Sequence, residues 1–106
     1  MVARGDIYLV VLDPTIGSEI QKTRPCIIIS PPEMHNHLKT ALIAPMTTGS
    51  KAAPFRAAIE FQGKIGLVLL DQIRAVDKSR LVKKLGSADE AVLSEILLIL
   101  KMIFSK

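Results

Sequence analysis

Cysteine is nearly absent from this sequence of 106 residues, which contains only Cys26. A single cysteine cannot form a disulfide within the chain, and the segment Cys26-Ile27-Ile28-Ile29 has the apolar, β-branched character of a core strand. With 49% hydrophobic residues, the chain is predicted to fold as one domain, residues 1–106, around its own core. A lone thiol is typical of the reducing cytosol, so we expect a cytoplasmic protein.

Long hydrophobic runs are also missing. The longest apolar run near the C-terminus, Ile96 to Leu100, is bounded by Glu95 and Lys101 and is far shorter than the ~20 residues that a membrane-spanning helix needs. The N-terminal segment MVARGD becomes acidic before any apolar run, so we expect no signal peptide. The sequence therefore predicts no membrane partner.

Aromatic residues are scarce, with no tryptophan, one tyrosine and three phenylalanines. Stacking platforms for bases are correspondingly few, which argues against a broad, unspecific binder of single-stranded nucleic acid. The sequence also lacks a Ser-His-Asp order, a glycine-rich phosphate loop and a paired-carboxylate pattern. These absences exclude several common catalytic arrangements.

Positive charge exceeds negative charge only mildly, with a formal net charge of +4. The distribution is more informative than the sum, because one stretch of eleven residues holds five cations and a single acid, Asp77: Arg74, Lys78, Arg80, Lys83 and Lys84. This basic stretch is either a solvated face beside the last strand or a surface that attracts a polyanion. The sequence alone leaves both interpretations open.

Five segments have the composition of β-strands and are separated by turn residues. They are Asp6–Leu12, Cys26–Ser30, Thr40–Met46, Phe55–Phe61 and Leu67–Val76. Pro31-Pro32 ends the second strand, and a short irregular or helical turn is expected from there through His37. No helix-length segment separates the strands, so parallel βαβ units are disfavoured and a small antiparallel barrel is predicted.

The hydrophobic period changes near the C-terminus. Ser87-Ala88-Asp89-Glu90 has the pattern of a capping box, in which Ser87 accepts a hydrogen bond from the Glu90 amide. A broad helical stripe follows: Val92, Leu93, Ile96, Leu97, Leu100, Ile103 and Phe104. Leu98 and Met102 lie off this stripe, one turn apart, and a second apolar strip of this kind requires cover, for example from a second subunit.

The triplet His35-Asn36-His37 could bind a metal or act as an acid–base pair. A zinc site needs further ligands, and no cysteine or carboxylate cluster lies nearby in the sequence. We therefore reject the metal interpretation and expect both histidines in a surface loop.

Two strand ends carry residues suited to an anion. Pro25 restricts Arg24 to an extended backbone, so the guanidinium projects from a stiff strand entrance. At the end of the third strand, Thr47 and Thr48 supply hydroxyl donors, and Gly49 permits close backbone approach. An arginine fork with hydroxyls suits a phosphate, although a surface arginine and a threonine-rich turn would give the same pattern.

Several linked segments, in one order and spacing from residue 4 to about residue 86, resemble the MazF/PemK toxin family. They are Arg4-Gly5-Asp6-Ile7, Leu12-Asp13-Pro14-Thr15, Gly17-Ser18-Glu19, Arg24-Pro25, Ser30-Pro31, Pro45-Met46-Thr47-Thr48 and Asp71-Gln72-Ile73-Arg74. The closing helix is also in the right place. The resemblance implies a mostly β fold, an SH3-like antiparallel β-barrel with a C-terminal α-helix, that forms homodimers.

The resemblance also implies a function. Members of this family are toxins that cleave single-stranded RNA at short sequences, without metal or cofactor, and leave a 2′,3′-cyclic phosphate and a 5′-hydroxyl. An antitoxin with an acidic, disordered tail silences them, and the resulting complex binds DNA. By resemblance, Arg24 and Thr47 are catalytic, and the RNA-binding positions are Ser18, Glu19, Thr48, Asp71, Gln72 and Arg74.

The sequence departs from one branch of the family, which has a catalytic arginine where this chain has Leu69 and a histidine where it has Ser18. This difference favours the site built on Arg24 and Thr47. Two other functions remain open for the same barrel. One is a non-enzymatic toxin of the gyrase-poison type, which depends on a C-terminal tryptophan that this chain lacks, and the other is a plain RNA-binding barrel.

Overall fold

A computed structural model describes residues 2–106 and places seven β-strands in one sheet. The strands are β1 (Asp6–Val11), β2 (Thr23–Ile28), β3 (Thr40–Thr47), β4 (Arg56–Phe61), β5 (Lys64–Leu69), β6 (Arg74–Asp77) and β7 (Leu81–Ser87). Helix α1 (Pro32–His35) follows β2, and helix α2 (Glu90–Ile103) follows β7. Short 3₁₀ turns occupy Leu70–Gln72 and Lys78–Arg80.

Strand β3 is the centre of the sheet. The strand order is β4-β5-β3-β2-β1-β7, and β6 pairs with the first half of β3 while β5 pairs with its last two residues. Every pair is antiparallel. The predicted fold class, a mostly β, SH3-like antiparallel barrel with a C-terminal helix, is confirmed, and the sheet is curled into a half-barrel.

The core lies on both faces of this curled sheet, which explains why the central strand β3 is almost continuously apolar. Alternate residues of each strand point to opposite faces. On one face, Ile27 and Met46 pack with Ile96 of α2. On the other face, Cys26 and Ile43 pack in a second cluster.

The segment predicted as one strand, Leu67–Val76, is two strands separated by a 3₁₀ turn, so this prediction is wrong. Buried Leu70 anchors the turn, and the chain there passes from the end of β3 to its beginning. Because the break lies inside an apolar segment, the hydrophobic pattern does not reveal it. This break removes Asp71 and Gln72 from the hydrogen-bonded ladder of the sheet, so their side chains are available for other contacts.

Strand β7 was not predicted. Its exposed Lys83 and Lys84 interrupt the apolar pattern, and its partner β1 lies far away in the sequence. The turn Gln62-Gly63 was predicted and is confirmed: both residues have positive φ, 52° and 76°.

Helix α2 begins differently from the prediction. Asp89 is the N-cap, and its side chain accepts a hydrogen bond from the Val92 amide at 2.9 Å. Ser87 ends β7 instead, and its hydroxyl donates to the Asp6 carboxylate. Phe104, predicted as the last residue of the helical stripe, caps the end of the helix and is 73% exposed. Within residues 2–106, no helix is long and apolar enough to span a bilayer.

Candidate functional site

A cavity of about 250 Å³ lies where β3 ends against β5 and the β4–β5 hairpin. Met46 and Ile59 contribute its apolar part. Its polar and aromatic lining consists of Arg24, Thr47, Thr48, Phe61, Gln62 and Lys64. We call this space the arginine–threonine cavity. It brings together the two residues predicted to be catalytic, one from the start of β2 and one from the end of β3.

Arg24 is half-buried at the edge of this cavity. Its Nε donates to the carbonyl of Gln21 at 3.0 Å, which fixes the plane of the guanidinium. The terminal nitrogens make no hydrogen bond or ion pair with any residue between 2 and 106. A guanidinium held through Nε presents its remaining N–H groups to a ligand.

Thr47 is positioned by two contacts. Its Oγ1 accepts a hydrogen bond from the Gly49 amide at 3.2 Å, so the hydroxyl proton remains available for a second partner. On the other side, β5 passes so close that a Cβ on Gly66 would lie 2.8 Å from the Thr47 carbonyl oxygen. Gly66 therefore allows an approach that a larger residue would prevent.

The other predicted residues line a second cavity of about 390 Å³, which we call the loop cavity. Its polar lining consists of Ser18, Glu19, Asp71, Gln72 and Arg74. Pro45 lines the loop cavity and its neighbour Met46 lines the arginine–threonine cavity, so both spaces border the last part of β3. The structure thus separates the predicted set into a group with Arg24, Thr47 and Thr48 and a group around the loop.

Hydrogen bonds hold the loop between β1 and β2 over its cavity. The Gln72 Oε1 accepts from the Ile20 amide at 2.8 Å, and the Glu19 carboxylate accepts from the Ile16 amide. Arg74 donates to the Leu12 carbonyl at 3.1 Å. Gln72 of the 3₁₀ turn and Arg74 of β6 therefore hold the loop in place, and both also line the loop cavity.

Asp71 is bound by a residue that sequence reasoning missed. Both of its carboxylate oxygens accept hydrogen bonds from Arg56, at 3.1 and 3.0 Å. Arg56 also donates to the Lys51 carbonyl at 2.9 Å and lies over the Phe55 ring. The hydrogen bonds from Arg56 lower the pKa of Asp71 below its ordinary value. No local pattern links the two residues, which meet because β4 pairs with β5 beside the 3₁₀ turn.

His35 and His37 differ in environment. His37 is exposed as predicted, but His35 is buried, so that part of the prediction is wrong. The His35 Nε2 faces the Val2 carbonyl at 2.9 Å, and its Nδ1 lies 3.0 Å from the Ser30 hydroxyl. A carbonyl only accepts, so Nε2 donates to Val2. Nε2 thus connects α1 to the N-terminal segment, and Nδ1 connects it to the residues that follow β2.

Cys26 is buried close to Arg24 and Arg74, one arginine from each cavity. Burial raises the pKa of its thiol to about 12, although the charges of Arg74 and Arg24 oppose this shift. The thiol is therefore protonated at neutral pH and is not a nucleophile. In the described part of the chain, no group of three or more His, Cys, Asp or Glu side chains is arranged to hold a metal ion.

The basic stretch from Arg74 to Lys84 is tied to the fold at several points. Arg80 donates to the carbonyls of Val11 and Asp13, and the Lys78 ammonium donates to the carbonyl of His35. Lys84 forms an ion pair with buried Asp6 at 3.3 Å. Carbonyl partners do not neutralise a cation, so most of the positive charge of this stretch remains at the surface.

Fold and site together define a small β protein that has a cationic, hydroxyl-bearing cavity and a second cavity under the loop between β1 and β2. A family model for the PemK-like, MazF-like toxin of type II toxin–antitoxin systems matches residues 3–104. The chain belongs to this family.

Curated relatives agree with this membership. The chain is 36% identical over 100 residues to the endoribonuclease PemK of Escherichia coli, covering 89% of this chain and 75% of that protein. It is 34% identical over 102 residues to the endoribonuclease MazF of Staphylococcus epidermidis, covering 91% of this chain and 85% of that protein.

Solved structures have the same fold. MazF from Deinococcus radiodurans matches with a TM-score of 0.84 and 27% identity, covering 96% of this chain and 94% of that chain. A mycobacterial endoribonuclease in complex with its cognate antitoxin matches with a TM-score of 0.81 at 22% identity, covering 96% of this chain and 93% of that chain.

Proposed function

We propose that residues 1–106 form a single toxin domain that cleaves single-stranded RNA, with mRNA as its target, in a sequence-specific and metal-independent reaction. The observation that carries this proposal is the arginine–threonine cavity, which is lined both by Arg24, held through Nε, and by Thr47, whose hydroxyl proton is not used by the Gly49 contact. The names of the relatives, endoribonucleases PemK and MazF, support the same activity. Cleavage of mRNA would inhibit translation and growth.

The nucleophile in this reaction is the RNA's own 2′-hydroxyl. It attacks the adjacent phosphorus, the bond to the 5′-oxygen breaks, and the products are a 2′,3′-cyclic phosphate and a 5′-hydroxyl. Negative charge grows on the non-bridging oxygens, and groups aimed at that charge lower the barrier. Arg24 donates to these oxygens through its terminal nitrogens, and the Thr47 hydroxyl adds a further hydrogen bond.

The proton of the 2′-hydroxyl goes to water in this mechanism, and water returns a proton to the departing 5′-oxygen, which leaves as the 5′-hydroxyl. Arg24 is not a base, because a guanidinium keeps its proton in proteins. The carboxylate of Asp71 is not the acceptor either, because both of its oxygens are bonded to Arg56 and it lines the loop cavity. We therefore assign Asp71, with Ser18, Glu19, Thr48, Gln72 and Arg74, to binding RNA around the cleaved bond.

Incubation of the purified chain with a mixed RNA pool in EDTA tests the activity. Cleaved fragments with 5′-hydroxyl ends are expected, and sequencing those ends gives the recognition sequence. RNA binding without cleavage would instead indicate a plain RNA-binding barrel. If the chain neither binds nor cleaves RNA, the proposal is refuted, and this result would indicate a target of the gyrase-poison kind.

Two partners belong to the proposal. The first is an antitoxin with an acidic tail, and the basic stretch from Arg74 to Lys84 supplies the positive surface for it. The second is another copy of the chain, because Leu98 and Met102 of α2 are 67% and 50% exposed and form an apolar strip. The substrate, mRNA, places the activity in the cytoplasm.

A further inference from the structure

The end of the β4–β5 hairpin contributes side chains to the arginine–threonine cavity that the proposed mechanism does not use. They are Phe61, Gln62 and Lys64. Gln62 and Gly63 both have positive φ, as a two-residue turn between paired strands requires. This tight turn makes Phe61 and Lys64 direct cross-strand partners. Partners of this kind lie on the same face of the sheet, roughly 5 Å apart at Cβ.

The same face of the hairpin leads to the catalytic candidates. Gly66 follows Lys64 by two residues, so it points to the same side of β5. A Cβ on Gly66 would lie 2.8 Å from the Thr47 carbonyl oxygen, which marks where β5 touches the end of β3. Two residues of strand span about 7 Å, so Lys64 starts about that far along β5 from this contact. A lysine side chain bridges such a distance.

The charge of the cavity is not compensated by the protein. Arg24 and Lys64 both line it, and no Asp or Glu among the described residues does. Neither cation takes part in an ion pair within residues 2–106. Two unpaired cations that share a small cavity repel each other, and a ligand with more than one negative charge removes that repulsion.

Phe61 provides a fixed ring beside Lys64. Its side chain is half-buried and packs against the core cluster below α2. Gly86 of β7 faces the ring edge, since a Cβ at that position would lie 3.5 Å from the Phe61 Cε1. The part of the ring that lines the cavity is therefore held in place, as a stacking platform for a base requires.

We propose that this hairpin end is a nucleotide subsite of the RNA site, in which Lys64 binds a phosphate next to the cleaved one and Phe61 stacks on a neighbouring base. The inference rests on the proposed endoribonuclease function and deepens it. Lys64 contacts RNA equally in the ground state and the transition state, so it governs KM, whereas Arg24 governs kcat.

The test compares Lys64→Met, Lys64→Arg and the matched control Lys39→Met, with steady-state cleavage of a mixed-sequence RNA. Lys39 is exposed and precedes β3, whose opposite end carries Thr47. We expect Lys64→Met to raise KM roughly tenfold with kcat unchanged, while Lys64→Arg and Lys39→Met stay near wild type. A wild-type KM for Lys64→Met, or a fall in kcat alone, would overturn the phosphate contact.

A second readout is the salt dependence of binding to a fully 2′-O-methylated RNA, which cannot be cleaved. Losing one phosphate contact makes the plot of the log association constant against the log salt concentration less steep, by about 0.7 for a single strand. We expect this change for Lys64→Met and not for Lys39→Met, and an unchanged slope for Lys64→Met contradicts the inference. Absence of cleavage by the wild-type protein would mark failure of the proposed function itself.

The base platform is tested with Phe61→Leu and Phe61→Met, which keep an apolar side chain, and with Phe61→Tyr, which keeps the ring. Thermal unfolding first identifies the variants that fold. We expect the folded aliphatic variants to bind 2′-O-methylated RNA roughly tenfold more weakly, with the wild-type salt slope, and Phe61→Tyr to bind normally. Aliphatic variants that bind as tightly as Phe61→Tyr would overturn the stacking role.

Discussion

At the scale of single residues, Arg24 carries the strongest prediction. Replacing it with alanine is expected to lower the cleavage rate by more than about a hundredfold, because a donor aimed at developing charge is lost. This loss corresponds to an increase in the activation free energy on the order of 3 kcal/mol. The fold should survive, since the Arg24 side chain is only half-buried and hydrogen-bonds to the described chain through Nε alone. Single-turnover cleavage and thermal unfolding together measure both effects.

Thr47→Val serves as the graded comparison for Arg24→Ala. A neutral hydroxyl is a weaker donor to an anion than a guanidinium, so the valine variant should lose less activity. Near-normal cleavage by a folded Arg24→Ala protein would remove Arg24 from the mechanism.

The histidines give a second prediction at this scale. If His35 and His37 acted as base and acid, the rate would follow a bell around pH ~6.5. Both ring nitrogens of His35 are already bonded within the fold, and neither histidine lines a cavity described above. The rate should therefore show no fall between about pH 6 and 8.

Variants separate the two histidines. His37→Gln should behave as wild type, and His35→Gln should lower stability by about 1–3 kcal/mol through its buried partners while keeping the rate per folded molecule. A bell centred near neutrality that disappears in the double variant would restore the histidine pair.

The Arg56–Asp71 ion pair gives a prediction about stability and pH. Arg56 lowers the pKa of Asp71, so the pair stabilises the native state above the unfolded carboxyl's pKa and loses this effect as pH falls through the lower native pKa. Wild type should unfold at a higher temperature than Asp71→Asn between about pH 5 and 8, and the gap should close below about pH 4.

Calorimetry over this pH range, with Glu60→Gln as the control, measures the gap. Glu60 is exposed and takes part in no ion pair within the described residues. A gap of the same size at all pH values would contradict an ionic role for Asp71.

At the scale of elements, helix α2 has two faces with different tasks. Ile96 is buried against the sheet, whereas Leu98, on another face of the helix, is 67% exposed. We expect Leu98→Glu to weaken a dimer that uses the strip of Leu98 and Met102, because a charge would be buried there. Ile16→Glu, at a loop position that is 83% exposed, is the matched control.

Light scattering across a concentration series measures this effect. The wild type and Ile16→Glu should be dimers at micromolar concentration and Leu98→Glu largely monomeric. A wild-type chain that is monomeric at micromolar concentration would refute the dimer.

At the scale of the whole molecule, the positive surface predicts how an antitoxin is captured. Attraction between exposed opposite charges weakens as salt screens them, so inhibition by an acidic tail should weaken with rising salt. Lys83 makes no ion pair within residues 2–106, whereas Lys84 is paired with Asp6. Titration of cleavage activity with the tail at several salt concentrations measures the effect, and salt-independent inhibition would exclude electrostatic capture.

The sequence by itself determined what depends on local pattern. Apolar segments bounded by turn residues predicted β1, β3 and β4 to within one residue of their observed bounds, and the change of period predicted α2. The second strand was predicted as Cys26–Ser30, but it begins three residues earlier and ends two residues earlier, because Thr23, Arg24 and Pro25 pair with β1 although they lack an apolar pattern. The linked segments from Arg4 to Arg74 indicated the family, and that membership is confirmed. They also selected the residues that line both cavities, although their roles in cleavage stay predictions.

Only the tertiary structure decided what depends on pairing between distant segments. Local pattern could not show that β7 pairs with β1, or that β3 takes β5 and β6 along different parts of its length. Those pairings break the segment predicted as one strand, release Asp71 towards Arg56, and bring Lys64 to the cavity of Arg24. Strand pairing is a long-range interaction whose partner a single segment does not encode, and for that reason the site is assembled only in the folded chain.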